Sequence, residues 1–166
     1  MKNSSLWHFA AAIYGHDEVS KACLFLQDEC GVDVNVLLFA LWMAAERKIQ
    51  LDAATVQKID AAVRQWREQV VMPLRAVRRR MKTGPAPAPN EKTEELRGKL
   101  KEVEIESERI ELSVLEGLDL GPLPQAADKP VTQNTLCVVS AYGGKTADKL
   151  VAQAIASIAA VVKAAV

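Results

Sequence analysis

Apolar residues recur along most of this chain at steps of three and four, the period of an α-helix with one buried side. The pattern predicts a first helix from about Ser5 to Tyr14, capped by Ser4 or Ser5 and stopped at Gly15. A second runs from about Glu18 to Cys30, with Asp17 as its cap and Val19, Ala22, Cys23, Leu26 and Cys30 as its apolar stripe. The third begins after Asp33, runs to about Arg47 and is apolar almost all round, which marks a helix buried on most sides. The fourth is long, from Ala53 to Lys82, with Asp52 as N-cap and a heptad-like line through Val56, Ile59, Val63, Trp66, Val70, Leu74, Val77 and Met81. Pro73 lies inside it, so a kink or short break is expected near Val70–Met72.

The stretch TGPAPAPN, Thr83 to Asn90, reads as a linker. A fifth helix follows from about Lys92 to Glu116, with an apolar line through Leu96, Leu100, Val103, Ile110 and Val114 and Ser107 at one position of that line. Asp119 to Gln133 is a second proline-rich connection. Two last helices are expected at about Asn134–Tyr142 and Thr146–Ala165, separated by Gly143-Gly144. No strand pattern of useful length appears. The expected architecture is all-α: a helical bundle over 1–118 with the linker 83–90 inside it, a linker over 119–133, and a C-terminal helical appendage over 134–166.

Composition narrows the function classes. The 166 residues include 21 basic and 21 acidic ones, so the chain as a whole is not a basic nucleic-acid binder, although a local patch remains open. Three cysteines, an odd and sparse set, suit reduced thiols better than a disulfide framework. Lys2 followed by the apolar Leu6–Tyr14 loosely imitates a leader, but His8 interrupts it. No apolar run is long enough to cross a bilayer. These features point to the cytoplasm.

A string of residues in the second to fourth helices resembles a known family. It reads Cys23-Leu24-Phe25-Leu26-Gln27, then Gly31-Val32-Asp33-Val34-Asn35 leading to Leu37-Leu38-Phe39 and Trp42, then Trp66, and then Pro73-Leu74-Arg75-Ala76-Val77-Arg78-Arg79. Trp7 and Tyr14 match the family's opening. The chain thus resembles, over about residues 6–115, a bacterial, mainly proteobacterial, family of helical proteins of unknown function. The resemblance implies a helical fold and brings no activity and no catalytic residue.

The strongest local feature is basic. Arg64, Arg67, Arg75, Arg78, Arg79, Arg80 and Lys82 stand against Glu68 alone between residues 64 and 82. Helical spacing puts Arg64, Arg67, Arg75, Arg78 and Lys82 on one stripe, with Arg79 beside it. It offers a surface for an acidic protein partner or for nucleic-acid phosphate. The competing reading is internal: Glu91 to Asp119 holds ten acids against five bases, and the two segments could pair as antiparallel helices. Gln27, Asp33 and Asn35 cluster at the turn between the second and third helices. Asp33 suits an N-cap, and Gln27 with Asp33 could receive Arg75, Arg78 or Arg79 in a structural polar lock.

Catalytic and metal patterns are weak. His8 and His16 are not at ligand spacing, and there is no HExxH or CxxC. Cys23 would need a base, for which His16 is the near candidate. Gly143-Gly144-Lys145-Thr146 imitates only the end of a P-loop and reads as a turn. Trp7, Trp42 and Trp66 could line a small-molecule pocket but suit core positions. The sequence therefore favours a non-enzymatic interaction module with a protein partner, no catalytic residue, no cofactor and no metal. Nucleic-acid or ribosome association through the same arginines is the alternative, a tryptophan-lined pocket is a further one, and self-association stays open.

Overall fold

A computed structural model describes residues 5–126 and 128–165, which form helices joined by loops, with no strand among them. In chain order the helices are α1 (Leu6–Tyr14), α2 (Asp17–Cys30), α3 (Val34–Glu46), α4 (Ala53–Trp66), α5 (Met72–Arg80), α6 (Glu91–Glu116), α7 (Pro130–Ala141) and α8 (Lys149–Ala165). Their starts follow the caps that the sequence offers. The side chains of Ser5, Asp33, Asp52 and Asn90 each accept a hydrogen bond from the backbone N–H three residues on. At α2 the cap position falls on His16, and Asp17 begins the helix, where its charge suits the N-terminal dipole. Ser4, the alternative cap for α1, lies outside the described residues.

Helix α3 is the centre. Every residue from Asn35 to Ala45 is buried, as its nearly all-apolar sequence requires. Around it pack α1, α2, α6 and α7, and α8 lies against α2. Residues 134–165, expected as an appendage, belong to this same core: Val138, Val139, Ile155, Ile158 and Val162 join one buried cluster with Leu37, Leu41 and Ile59. The α6–α7 connection is strapped to the α3–α4 loop. Ala126 N donates to Lys48 O (2.8 Å) and Gln50 N to Pro124 O (3.2 Å). At the α7–α8 turn the chain passes so close to its neighbours that a Cβ on Gly144 would meet Val139 Cγ1 at 2.5 Å and Cys30 Sγ at 3.1 Å. That turn is the segment that imitated a P-loop.

The long fourth helix of the sequence is resolved into two. Between α4 and α5, residues Arg67–Val71 form a π turn, in which Met72 N donates to Arg67 O. Pro73, which has no N–H to give to the preceding turn, follows at once. A π turn inserts one extra residue, so everything after it is rotated by about 100° relative to a continuous α-helix. The face that α5 turns inward is therefore different from the one that the uninterrupted heptad predicts.

Candidate functional site

The π turn decides which α5 side chains meet α6. Arg75 and Arg78 face α6, while Val77, on the predicted apolar line, is 51% exposed. Helix α6 does the matching thing. It buries Glu104, Ser107 and Glu111, and it leaves Leu96 and Val103, each of the expected apolar line, 52% exposed. The interface between the two helices is thus ionic. Arg75 Nε donates to Glu104 Oε1 (2.9 Å), and its Nη2 to Glu108. Arg78 donates to both oxygens of Glu104. Residue 75 reaches 108 and 104 while 78 reaches 104, so the helices run antiparallel. Burial opposes the charge on Glu104, but hydrogen bonds from Arg78 and Arg75 outweigh it and hold its carboxyl below the usual range. Glu108 goes the other way: burial pushes it up and Arg75 does not fully offset this.

A second polar cluster lies deeper, where α3, α4, α6 and α7 meet. Asp33 accepts from Val36 N (3.0 Å) as the α3 cap and from Arg67 Nη1 (2.8 Å). Arg67 also donates to Asp60 Oδ1 (2.8 Å), and Tyr142 donates its hydroxyl to the same oxygen (2.6 Å). Arg64 closes on the other Asp60 oxygen. Burial works against the charge of Asp60, but its bonds from Tyr142, Arg64 and Arg67 prevail and its carboxyl is held low. Asn35 Nδ2 donates to Glu111 Oε2 (3.1 Å), while Glu111 Oε1 is buried without a partner. Burial, with the charge of Asp33 adding to it, pushes the Glu111 carboxyl up to about 8.

Each candidate of the sequence has a place here. Gln27 accepts from Arg75 Nη1 (2.7 Å). Asp33 receives Arg67 rather than Arg75, Arg78 or Arg79, because the π turn carries the later arginines round to α6. The arginine stripe is consequently split. Arg67, Arg75 and Arg78 are largely covered and engaged inside the molecule, and Arg64, about half exposed, is held by Asp60. Arg79, Arg80 and Lys82 are exposed near the end of α5, with Arg79 4.0 Å from Asp28. Two residues had no sequence signal. Glu111 counted only as one of the ten acids between Glu91 and Asp119. Asn134, fully buried, binds backbone alone: its Nδ2 donates to Ala40 O and Ile49 O (3.0 Å each), and Leu51 N donates to its Oδ1 (2.9 Å).

The groups considered for chemistry are held apart. The Cys23 thiol is buried and pushed up to about 12 by that burial, the reverse of an activated nucleophile. Trp42 packs on Phe39 in the core under Arg47, Trp7 lies under Arg109, and Trp66 donates its indole N–H to Ser107 O (3.0 Å). An open, mainly apolar groove of about 550 Å³ between α7 and α8 is lined by Leu136, Ile155 and alanines, with Lys163 at its edge. Among the described residues no three His, Cys, Asp or Glu side chains gather as metal ligands, and no helix is long and apolar enough to cross a membrane.

What the arrangement leaves outside is apolar. On α5 the line Leu74–Val77–Met81 is turned about 90° from the contact with α6, and on α6 the line Leu96–Leu100–Val103 is turned about 90° from the contact with α5, in the same rotational sense. In antiparallel helices, equal rotations of one sense bring both lines to the same side of the pair. Trp66, 36% exposed, and Ile110 continue that side toward the body of the molecule. Neither α5 nor the part of α6 before Glu104 contains a buried residue, so this hairpin stands clear of the core. No curated protein and no solved structure matches the chain. One family does match, over residues 5–115, the span from the α1 cap almost to the end of α6. The chain belongs to that family, described as a protein of unknown function (DUF2390).

Proposed function

We propose that this protein is a non-catalytic interaction module whose contact surface is the α5–α6 hairpin. The observation that carries the reading is the apolar side of that hairpin, with Val77, Leu96 and Val103 each about half exposed on helices that bury charged groups between them. A folded chain that turns an apolar heptad line outward, and spends glutamate–arginine pairs on its own helix contact, keeps that line for another molecule. The fit is to a partner presenting a helix with its own apolar stripe. Arg80 and Lys82 stand at the far end of the surface and favour an acidic rim on the partner, and Arg79, on the side of α5 away from Val77, lies 4.0 Å from Asp28.

These three cations also support a second reading, binding of nucleic-acid phosphate. The two readings differ in salt dependence. The test compares native complexes of the wild type, Val77→Glu and a triple Arg79→Gln/Arg80→Gln/Lys82→Gln variant at low and high salt, with and without nuclease. The proposal expects a defined protein complex that survives salt and nuclease and is lost in Val77→Glu at unchanged melting temperature. Loss with salt, nuclease and the triple variant, with Val77→Glu still binding, would establish the phosphate reading instead.

A further inference from the structure

We infer that the apolar side of α6 docks against α6 of a second copy of this chain, antiparallel, about a twofold axis between Leu100 and Val103. This rests on the hairpin surface proposed above and names its occupant. Three observations lead to it.

The first is phase. Leu96, Leu100, Val103, Ser107 and Ile110 keep steps of four, three, four and three residues, the spacing of coiled-coil core positions. Leu96, Val103 and Ile110 are each about half exposed, and Ser107 is buried beside Trp66. A single helix of matching phase closes this line, and α6 of another copy has that phase by construction. The second is charge. The outer edge of the line, at heptad positions beside the core, carries Lys99 and Glu106, both exposed. In the antiparallel register that sets Leu100 of one copy against Val103 of the other, Lys99 of each copy meets Glu106 of the other. The twofold makes this contact twice, and both contacts join opposite charges. The third is the absence of net repulsion. The chain has equal numbers of acidic and basic residues, so two copies approach without a net charge between them.

The surface is also isologous, the arrangement that closes at two copies rather than growing into a filament. Both α5 helices then lie on the same side of the central α6 pair, opposite Lys99 and Glu106, and their lines through Val77 face each other and extend the contact there.

Analytical ultracentrifugation of the full chain tests this. The wild type is expected to reach twice the 18.1 kDa chain mass as concentration rises. Val103→Glu, at a half-exposed site, is expected to stay at the single-chain mass with an unchanged melting temperature, and Leu96→Ser serves if Val103→Glu folds poorly. Lys99→Glu alone and Glu106→Lys alone each create two like-charge contacts and are expected to weaken the dimer about tenfold. The double variant K99E/E106K restores both pairs and is expected to restore the dimer.

A wild type that stays single at all concentrations overturns the inference. So does a dimer that ignores the charge exchanges. If the single chain nonetheless holds a salt-resistant protein partner that Val77→Glu releases, the interaction reading stands and only the second copy is withdrawn. If it holds neither, both fall.

Discussion

Asn134 joins three parts of the chain through one side chain. It reaches the α3 backbone at Ala40 and both Ile49 and Leu51 of the α3–α4 loop from the first half of α7. Replacing it by alanine removes all three bonds and strips the Ile49 carbonyl and the buried Leu51 N–H of this partner, while Ala40 O keeps its place in the α3 ladder. Asn134→Ala is therefore expected to lower unfolding free energy by about 3 kcal/mol, measured by urea denaturation. Glu111 is a residue of the opposite kind, buried with its carboxyl pushed up to about 8. Between the ordinary carboxylate value and that one, the folded chain holds a proton that the unfolded chain has lost, so stability falls as pH rises through this window. Asp60 and Glu104 are held low, so their contribution is present at neutral pH and lost as pH falls into the acid range. The melting temperature is expected to peak in mildly acid solution. Glu111→Gln, which cannot ionise, is expected to flatten the alkaline limb and to raise the melting temperature more at pH 8 than at pH 5, by calorimetry. The cap residues Asp33 and Asp52 were legible because capping is local: an acceptor three residues before a free N–H. Asn134 was not, because its partners lie 83 to 94 residues away.

At the scale of elements, the π turn sets the rotation of α5. Deleting the exposed Gln69 would let Arg67–Val71 close as ordinary α-helix and turn α5 back by about 100°. Arg75 and Arg78 would then leave Glu104, which is only 5% exposed. The deletion is expected to cost about 3 kcal/mol, the order seen when one side of a buried pair is removed, read from the denaturation midpoint. The expected apolar line is a true contact along α4, where Val56, Ile59 and Val63 are buried, but along α5 and the first part of α6 it is a line that faces outward at Val77, Leu96 and Val103. Periodicity identifies which residues share a side, and it says nothing of a one-residue insertion that changes which side faces inward. A kink or break was expected at Pro73, whereas the rotation follows from the π hydrogen bonds, which no residue type announces. The opposite charges of residues 64–82 and 91–119 were the better guide, since they carry the pairing that forms: Arg75 and Arg78 with Glu104 and Glu108.

The whole molecule has one core, and the family match ends before two of its helices. Residues 5–115 carry the family's pattern, but Val138, Val139, Ile155 and Ile158 complete the cover of α2 and α3. A chain stopped after Leu118 would expose the α3 surface that α7 covers. It is expected to lose its cooperative thermal transition and to bind a hydrophobic dye, checked by circular dichroism and fluorescence. The helical nature of the C-terminal segment was legible from its periodicity. Its membership in the core was not, because an amphipathic helix shows that it has a side to bury and does not show against what.

The strap between the α3–α4 loop and the α6–α7 connection, with α8 laid on α2, also has a consequence in time. Helix α8, which covers α2, is synthesised more than a hundred residues after it. At about 5–20 residues per second, the roughly 50 residues after the family-matched span take several seconds to appear. For that interval Leu26, Cys23 and Val19 wait for their neighbours. Native closure of this fold waits until α8 has been made, and until then the α2 surface that α8 covers stays open to aggregation.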